Sequence, residues 1–168
     1  SIAYDSLETP LGLSEEELGG SATYAGFSSA FHNHRLGGDG ISMVGVVGKD
    51  FQPQHLSWFI EAGLDISGIE TALGDTFRWK GSYHGNMAEA ITHETHLNVF
   101  ETFQPQVPEH ALSPKVLFCA NLHPSIQASV LDQTSPTRLT LLDSMNLWID
   151  IAYDGLIEVM KRVDIVVL

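Results

Sequence analysis

The sequence predicts an α/β fold with a mainly parallel central sheet and a small antiparallel pair of strands. After Pro108, short apolar runs alternate with helical segments in units of about 25 residues, the pattern of right-handed βαβ crossovers. Between Thr76 and Phe100, two extended runs are rich in aromatic and β-branched residues but too polar for core strands. We therefore place this pair outside the main sheet.

These patterns divide the chain into a core, residues 1–75 and 101–168, and a lid insertion, residues 76–100. Ser1–Asp5 has the pattern of the last residues of a strand with its exit loop. At the other end, Asp164–Leu168 has the pattern of a buried strand with no turn after it. We therefore expect a truncated chain.

Helix boundary signals place the individual elements. A helix is predicted to begin near Ser21 and to end at Gly37-Gly38, and Pro53 suits the first turn of a second helix that stops at Gly63. A short acidic segment, Ser14–Glu17, leads to Gly19-Gly20 before the first helix. Further strands are predicted at 41–47, 116–120, 139–142 and 165–168, and further helices at 124–133 and 152–162.

Composition excludes several classes of function. The net charge of −13 argues against nucleic acid and against an anionic membrane surface as partners, because both attract basic patches. No apolar stretch reaches the roughly 18 to 20 residues that span a bilayer, and the first residues do not resemble a signal peptide. The single cysteine, Cys119, excludes an internal disulfide. We therefore expect a cytoplasmic protein with a small-molecule ligand.

Polar residues follow the predicted strands, where parallel sheets bind their ligands. A carboxylate such as Asp5 can accept two hydrogen bonds from neighbouring hydroxyls of a polyol, although a loop or N-cap aspartate fits the same pattern. Gly19-Gly20 before a helix allows close backbone approach and offers free amides, although a simple turn is as good an explanation. The polar residues at this edge are Asp5, Asp50, Asn121, His123, Asp143 and Asn146.

Other motifs are absent or unsuitable. Gly45-Val-Val-Gly48 follows a strand, but the G-x-G-x-x-G dinucleotide fingerprint is missing, as is the G-x-x-x-x-G-K-[ST] loop. A Rossmann-type oxidoreductase is therefore disfavoured. His93 and His96 are three apart on a predicted strand and so face opposite sides, and no metal site is predicted there.

Taken together, six segments resemble the ribokinase-like, or PfkB, family of carbohydrate kinases, and they occur in the order typical of that family. The resemblance implies an αβα sandwich with a β lid, and ATP-dependent phosphorylation of a sugar or nucleoside hydroxyl with Mg²⁺. The segments are Ser1–Asp5, Leu18–Tyr24, Val44–Asp50, Gly63–Ser67, the two-strand insertion and Leu142–Asn146.

The resemblance also assigns roles to residues. It implies that Asp5 holds sugar hydroxyls, that Gly19 and Gly20 line the sugar pocket, and that the insertion covers the sugar. The substrate-binding residues expected from the residue patterns and the resemblance together are Asp5, Gly19, Gly20, Tyr24, Arg78 and Asn98, with Asp143 and Asn146 near the phosphate side.

Two departures from the family pattern matter. Tyr24 stands where the family usually has Asn, which keeps a nucleoside kinase of the same fold open as the alternative, since an aromatic side chain can stack on a base. The G-A-G-D segment, which would supply the anion hole and the catalytic base, is absent. The resemblance implies that it lies beyond Leu168, in a C-terminal half of the core that this chain lacks. The chain alone is therefore predicted to be inactive and to bind neither ATP nor Mg²⁺ tightly.

Two further alternatives concern assembly and role. A non-catalytic sugar-binding module that ends here by design would show the same pocket without the catalytic segment. Lid strands in the family often form dimer contacts, so a homodimer through the lid is also considered, with Phe77, Trp79 and Tyr83 as its apolar surface.

Overall fold

A computed structural model describes all 168 residues and confirms the α/β class. Nine strands and five α-helices alternate along the chain, with two short 3₁₀ turns at 98–101 and 109–111. The strands are β1 (Ala3–Thr9), β2 (Gly12–Gly19), β3 (Ile41–Val47), β4 (Leu64–Thr71), β5 (Arg78–Tyr83), β6 (Ala90–His96), β7 (Val116–Cys119), β8 (Leu139–Asp143) and β9 (Ile165–Val167). The helices are α1 (Ser21–Leu36), α2 (Pro53–Glu61), α3 (Pro124–Gln133), α4 (Asn146–Ile151) and α5 (Tyr153–Met160).

The core strands are all parallel. β3 pairs with β4, and β7, β8 and β9 form a second ladder in that order. Because each parallel connection passes through a helix or a long crossover, the carboxyl ends of the strands in a ladder meet at one edge. No helix is both long and apolar enough to cross a membrane.

The lid is larger than the predicted pair. β5 and β6 are antiparallel, as expected, but they belong to a four-stranded sheet in the order β2-β1-β5-β6. β1 runs antiparallel to β2 and parallel to β5. The pair at 76–100 therefore lies outside both core ladders, as predicted, but residues 3–19 complete its sheet.

The structure differs from the predicted elements in three places. Ser14–Glu17 lies in β2, an exposed edge strand whose charged side chains hide the apolar periodicity and discourage edge pairing. Asp5 lies within β1 instead of after a strand. The helix α4, which immediately precedes the correctly predicted helix α5, was not predicted.

β4 was also missed, because its only fully buried apolar side chain is Leu64 and the alternation that marks a strand is weak. The other predicted elements begin and end within one or two residues of the observed ones. Gly37 terminates α1 in the left-handed conformation, φ 67°, as the diglycine signal implied.

Three apolar clusters stabilise these layers. The largest joins the start of β1, α1, β3 and α2 around Ile2, Tyr4, Val47 and Phe59. The second lies under the β7–β9 ladder, and the third joins the lid base to β3 through Val46, Val99 and Phe100. The first and third clusters therefore fix the lid base against the core.

Candidate functional site

Asp5 is the half-buried carboxylate of the lid sheet. Burial raises its pKa to about 6, against the opposing effects of a hydrogen bond from the Gly20 backbone N–H and of the nearby Ser1 ammonium. A carboxyl group with this pKa has too few protein partners to compensate fully for its desolvation.

Gly19 provides the space that Asp5 occupies. In the β1–β2 ladder Asp5 lies opposite Glu17, and its carboxylate leans across to the position that a side chain at Gly19 would fill. A Cβ at Gly19 would overlap Asp5 Oδ2. The structure thus brings together Asp5 and the diglycine, as the sequence predicted.

Gly20 has a different structural reason to be glycine. Its φ of 94° is unfavourable for other residues, and a Cβ there would lie 2.5 Å from the Ser1 carbonyl oxygen. Gly20 also precedes α1, so the backbone turns sharply from β2 into the helix. The diglycine thus sets both the Asp5 pocket and the start of α1.

An aromatic face surrounds the Asp5 carboxylate. Asp5 pairs with Trp79 across the β1–β5 ladder, so both side chains are on one face of the lid sheet, and Tyr83 follows on the same face. The rings of Trp79 and Tyr83 lie 6.5 Å apart, edge to face. Tyr24, in the first turn of α1, is 57% exposed, and partial burial together with nearby Asp5, Tyr83 and Glu17 raises its pKa. This arrangement combines a carboxylate with flat apolar surfaces.

The remaining lid residues expected to bind substrate have protein partners. Arg78 lies on the opposite face from Trp79, where its guanidinium contacts Asp50 Oδ2 at 2.8 Å and Glu16 Oε1 at 3.0 Å and lies over the Tyr4 ring. Asn98 donates a hydrogen bond to the Thr76 carbonyl oxygen at 2.9 Å. A substrate role for Arg78 and Asn98 stays a prediction.

Asp50 anchors the lid base to the core. Its Oδ1 accepts hydrogen bonds from the Thr76 backbone N–H at 2.7 Å and the Thr76 hydroxyl at 2.8 Å, and the same hydroxyl accepts the Gly48 N–H at 3.0 Å. Partial burial of Asp50 acts to raise its pKa, but the Thr76 hydrogen bonds and Arg78 outweigh it, and the pKa is lowered. The Gly48–Asp50 turn is therefore the joint between β3 and the lid.

We expect Arg78→Met to destabilise the protein by about 1–2 kcal/mol, because Asp50 and Glu16 lose a shared cation at a partly buried site. Urea denaturation would measure the change. The lowered pKa of Asp50 means that its contribution is present above its unfolded pKa and is lost as pH falls, so the difference between the proteins should shrink below about pH 4. Lys161→Met, which removes an exposed pair with Glu158, is the control. Equal stability of the two variants would contradict the role of the Arg78–Asp50 contact in anchoring the lid base to the core.

A second group of polar residues lies at the carboxyl end of β7 and β8. Burial raises the pKa of Asp143 despite hydrogen bonds from the backbone N–H groups of Asn121 and Ser144. The Ser1 ammonium donates to the Asn121 carbonyl oxygen at 3.2 Å and is close enough to Asp143 and Asp5 to attract both. Asp5, Asn121 and Asp143 therefore gather around Ser1 at one edge of the core.

Asn146, the other residue expected on the phosphate side, is exposed at the start of α4. The Asn121 side chain accepts a hydrogen bond from Trp148 Nε1 at 2.7 Å. No group of three or more His, Cys, Asp or Glu residues in the chain could hold a metal ion.

Sequence reasoning missed Glu17 and did not include Trp79 among the site residues. Glu17 lies opposite Asp5 on β2. Only the pairing of β1 with both β2 and β5 places these residues beside Asp5, and nothing in the local sequence indicates that pairing. The one weak sequence signal for the position of the Trp79 side chain is Gly81, two residues later. A side chain at Gly81 would overlap the indole ring.

Comparison with known proteins shows the fold. No protein-family model and no curated protein sequence matches the chain. A Burkholderia thailandensis nucleoside kinase in complex with inosine superposes with a TM-score of 0.69 at 14% identity over 99% of this chain. A Xylella fastidiosa fructokinase gives 0.67 at 17% over 98%, and a Cryptococcus neoformans ribokinase in complex with ADP gives 0.65 at 17% over 88%.

The alignments cover 57%, 58% and 48% of those three proteins, so the chain spans only about half of their length. Among the matching structures is also a nucleoside kinase of Methanocaldococcus jannaschii described as a member of the ribokinase family. The chain therefore has the ribokinase-like fold that its sequence segments predicted.

Proposed function

We propose that this chain, with its ribokinase-like fold, forms the acceptor-binding part of a kinase that transfers a phosphoryl group to a hydroxyl of a sugar or nucleoside. The observation that supports this most directly is the Asp5 carboxylate, seated in the space left by Gly19 and facing Trp79, Tyr83 and Tyr24. Sugar recognition needs this combination, since a carboxylate accepts vicinal hydroxyls and aromatic faces pack against the apolar side of the ring.

Asp5 would bind the acceptor in its ionised form. Two hydroxyl donors would replace the water that its carboxylate loses on burial, so substrate binding should lower the raised pKa of Asp5. The aromatic face of the lid would then exclude water from the acceptor hydroxyl, which protects a phosphoryl donor from hydrolysis. In this proposal Gly19 and Gly20 shape the pocket and Asp5 orients the substrate.

The chain is not proposed to perform the transfer. Deprotonation of the acceptor hydroxyl needs a base, and the family's G-A-G-D segment is absent from the sequence. ATP and Mg²⁺ would act in the intact enzyme, with Asp143 and Asn146 on the phosphate side. A coupled assay of ADP release should show no sugar-dependent turnover by the 168-residue chain, and measurable turnover would overturn this part of the proposal.

Thermal-shift measurements with ribose, fructose and inosine test the acceptor-binding role. A ligand present at ten times its Kd should raise the Tm by about 3–5 °C, since it binds only the folded chain. No shift with any of the three, or equal shifts with and without an intact Asp5, would contradict the role.

The Tyr24→Leu variant distinguishes a nucleoside acceptor from a sugar acceptor. Stacking of a base on Tyr24 contributes about 1–3 kcal/mol in comparable contacts, so the variant should weaken inosine binding by about 10- to 100-fold and leave ribose binding unchanged. Isothermal titration would measure both. Equal loss for both ligands would mean that Tyr24 contacts the sugar, and no loss would remove it from the site.

We also propose that the chain forms a homodimer through the lid. Leu11 and Leu13, at the β1–β2 hairpin, are 96% and 76% exposed, so both side chains are available for contact with a second copy. Phe77, expected at this surface, instead stacks on Phe100 in the core, with ring centroids 4.9 Å apart. Apolar lid contacts between copies would therefore involve the hairpin more than Phe77.

A further inference from the structure

A second carboxylate lies on the same face of the lid sheet as Asp5. Glu17 of β2 is the direct partner of Asp5 in the antiparallel ladder, so the Cβ atoms of the two residues lie about 5 Å apart on one face. Glu17 is exposed, and its Oε1 accepts a hydrogen bond from the Ser14 hydroxyl, while its Oε2 has no protein partner. Burial raises the pKa of Tyr24, and the charges of Asp5 and Glu17 add to this effect. The Tyr24 hydroxyl therefore lies near both carboxylates.

No basic side chain lies on this face of the lid sheet. The basic residues of the four lid strands all belong to the opposite face, as the strand pairing and the contact of His93 with Ser82 show, and they are Arg78, Lys80, His93 and His96. Arg78 is already paired there with Asp50 and Glu16. The histidines and the arginine of α1 begin at residue 32, about 12 Å along the helix from Tyr24. The two carboxylates therefore have no compensating cation on their own face.

The amino end of α1, which would otherwise attract an anion, already has protein partners. The Gly20 N–H donates a hydrogen bond to the Asp5 carboxylate. The N–H groups of Ser21 and Ala22 donate to the hydroxyl and the carbonyl oxygen of Ser1, at 3.3 and 2.9 Å. Burial lowers the pKa of the nearby Ser1 amino group to about 5, so this group is uncharged at neutral pH. The positive end of the helix dipole is therefore balanced by Asp5 itself.

Aromatic side chains surround the two carboxylates. The indole N–H of Trp79 donates to Thr92 Oγ1 at 3.1 Å, which fixes the ring on this face, and Tyr83 lies next to it. Aromatic rings attract cations through their electron-rich faces, and an ammonium group is held well by a carboxylate on one side and rings on the other. A phosphate or carboxylate substituent would gain nothing from the rings and would be repelled by both Asp5 and Glu17.

We propose that Glu17 determines which charge the acceptor carries, so that the site binds amine-bearing sugars or nucleosides in preference to neutral ones and rejects phosphorylated ones. This inference rests on the proposed function, in which Asp5 holds acceptor hydroxyls. Glu17 and the rings of Trp79 and Tyr83 would then hold the ammonium group. Because Glu17 is exposed, solvent screens its attraction for a cation, and we expect a preference of about tenfold.

Two matched ligand series test the inference by isothermal titration of the whole chain. Fructose is compared with 1-amino-1-deoxyfructose and fructose 1-phosphate, and inosine with 5′-amino-5′-deoxyinosine and inosine 5′-phosphate. We expect the amine to bind about tenfold more tightly than the neutral member of its series, and the phosphate at least about tenfold more weakly. The advantage of the amine should shrink in about 0.5 M NaCl, because salt screens exposed charges.

Variants of Glu17 separate its charge from a structural role. Glu17→Gln should bind the amine about tenfold more weakly and the neutral ligand unchanged, and Glu17→Lys should bind the phosphate at least about tenfold more tightly than the original chain does. Glu8→Gln is the matched control, because Glu8 is exposed on the opposite face of the same sheet and carries the same charge. This control should change the affinity for none of the ligands.

The outcomes distinguish this inference from the proposed function. If a neutral ligand binds and its amine binds no more tightly, the inference is overturned and the proposed function stands. Equal effects of Glu17→Gln and Glu8→Gln would assign the preference to the overall negative charge of the chain and would also overturn the role of Glu17. Equal loss of the amine and the neutral ligand in Glu17→Gln would mean that Glu17 shapes the pocket without selecting charge. Binding of none of the six ligands would overturn both the inference and the proposed function.

Discussion

Asp5→Asn is expected to weaken acceptor binding about 100-fold and at the same time to stabilise the protein at neutral pH. The carboxylate of Asp5 would accept two charge-assisted hydrogen bonds, and asparagine offers one oxygen and a competing NH₂ donor. We expect the Kd for the acceptor identified among ribose, fructose and inosine to rise about 100-fold, which corresponds to about 3 kcal/mol. Isothermal titration of both proteins measures it.

Although Asp5→Asn weakens binding, the same substitution should increase the free energy of unfolding at neutral pH. The folded pKa of Asp5 is raised from 3.8 to about 6, so the stability due to the protonated form is complete below pH 3.8 and is lost as pH rises through 6. The full shift corresponds to about 3 kcal/mol, and partial exposure of the group reduces this to about 1–2 kcal/mol. Asparagine does not ionise, so the variant should exceed the original Tm above pH 6 and match it near pH 4.

The comparison of the two proteins reports Asp5 together with its Coulombic coupling to the Ser1 ammonium. The Ser1 ammonium has a pKa lowered to about 5, so its own effect has the opposite pH dependence: it reduces the stability of both proteins as pH falls from 8. Asp150→Asn, at an exposed position of α4, should change neither binding nor Tm. Retained binding by Asp5→Asn, or a Tm difference that does not depend on pH, would contradict the role given to Asp5.

Gly48→Ala is expected to produce the largest loss of stability. Gly48 is buried at the joint of β3 and the lid, and a Cβ there would lie 2.5 Å from the Gly74 carbonyl oxygen and overlap the backbone between Asp75 and Thr76. These are backbone atoms, so no rotamer change relieves the contact. The hydrogen bond from Gly48 N–H to the Thr76 hydroxyl would be lost with it.

We expect Gly48→Ala to destabilise by about 3 kcal/mol or more and to lower the Tm by about 6–12 °C. Chemical denaturation and calorimetry measure the change. Gly155→Ala is the matched control, because a Cβ at Gly155 in α5 meets Pro124 Cβ at an ordinary 3.6 Å and a helical alanine is favourable. A Gly48→Ala protein as stable as this control would show that the backbone at residue 48 can move away from residues 74–76 without cost.

Acceptor binding gives a second measurement on the same variant. If the joint at Gly48 positions the lid, the surviving folded protein should bind the acceptor more weakly even at temperatures well below its Tm. Weakened binding without loss of stability would place Gly48 at the pocket instead of at the joint.

Sequence reasoning predicted those parts of the fold whose signals are local. Gly37 ends α1, Pro53 opens α2, and continuous apolar runs mark β3 and the strands of the second ladder. Each depends on residues within a few positions of one another. Strands β2 and β4 gave no such signal, because β2 is an exposed edge and β4 is only partly buried.

The candidate site shows the same division. Asp5 and the diglycine were identified from the sequence, but as neighbours of a loop, while the structure places Asp5 inside a strand, over Gly19. Arg78 was grouped with the pocket because it lies in the lid segment, yet its face of β5 points to Asp50 and Tyr4. Which face a lid residue presents depends on pairing with β1, which is remote in sequence.

The sequence by itself determined the α/β class, the order and ends of most elements, the separate lid pair and the chemical character of Asp5, Gly19 and Gly20. These depend on apolar periodicity, turn chemistry and residue type, all of which act over short stretches of chain. Only the tertiary structure decided that β1 and β2 complete the lid, that Asp50 joins lid to core, and that Glu17 lies opposite Asp5. Strand partners are chosen by contacts between distant segments, and no local pattern encodes that choice.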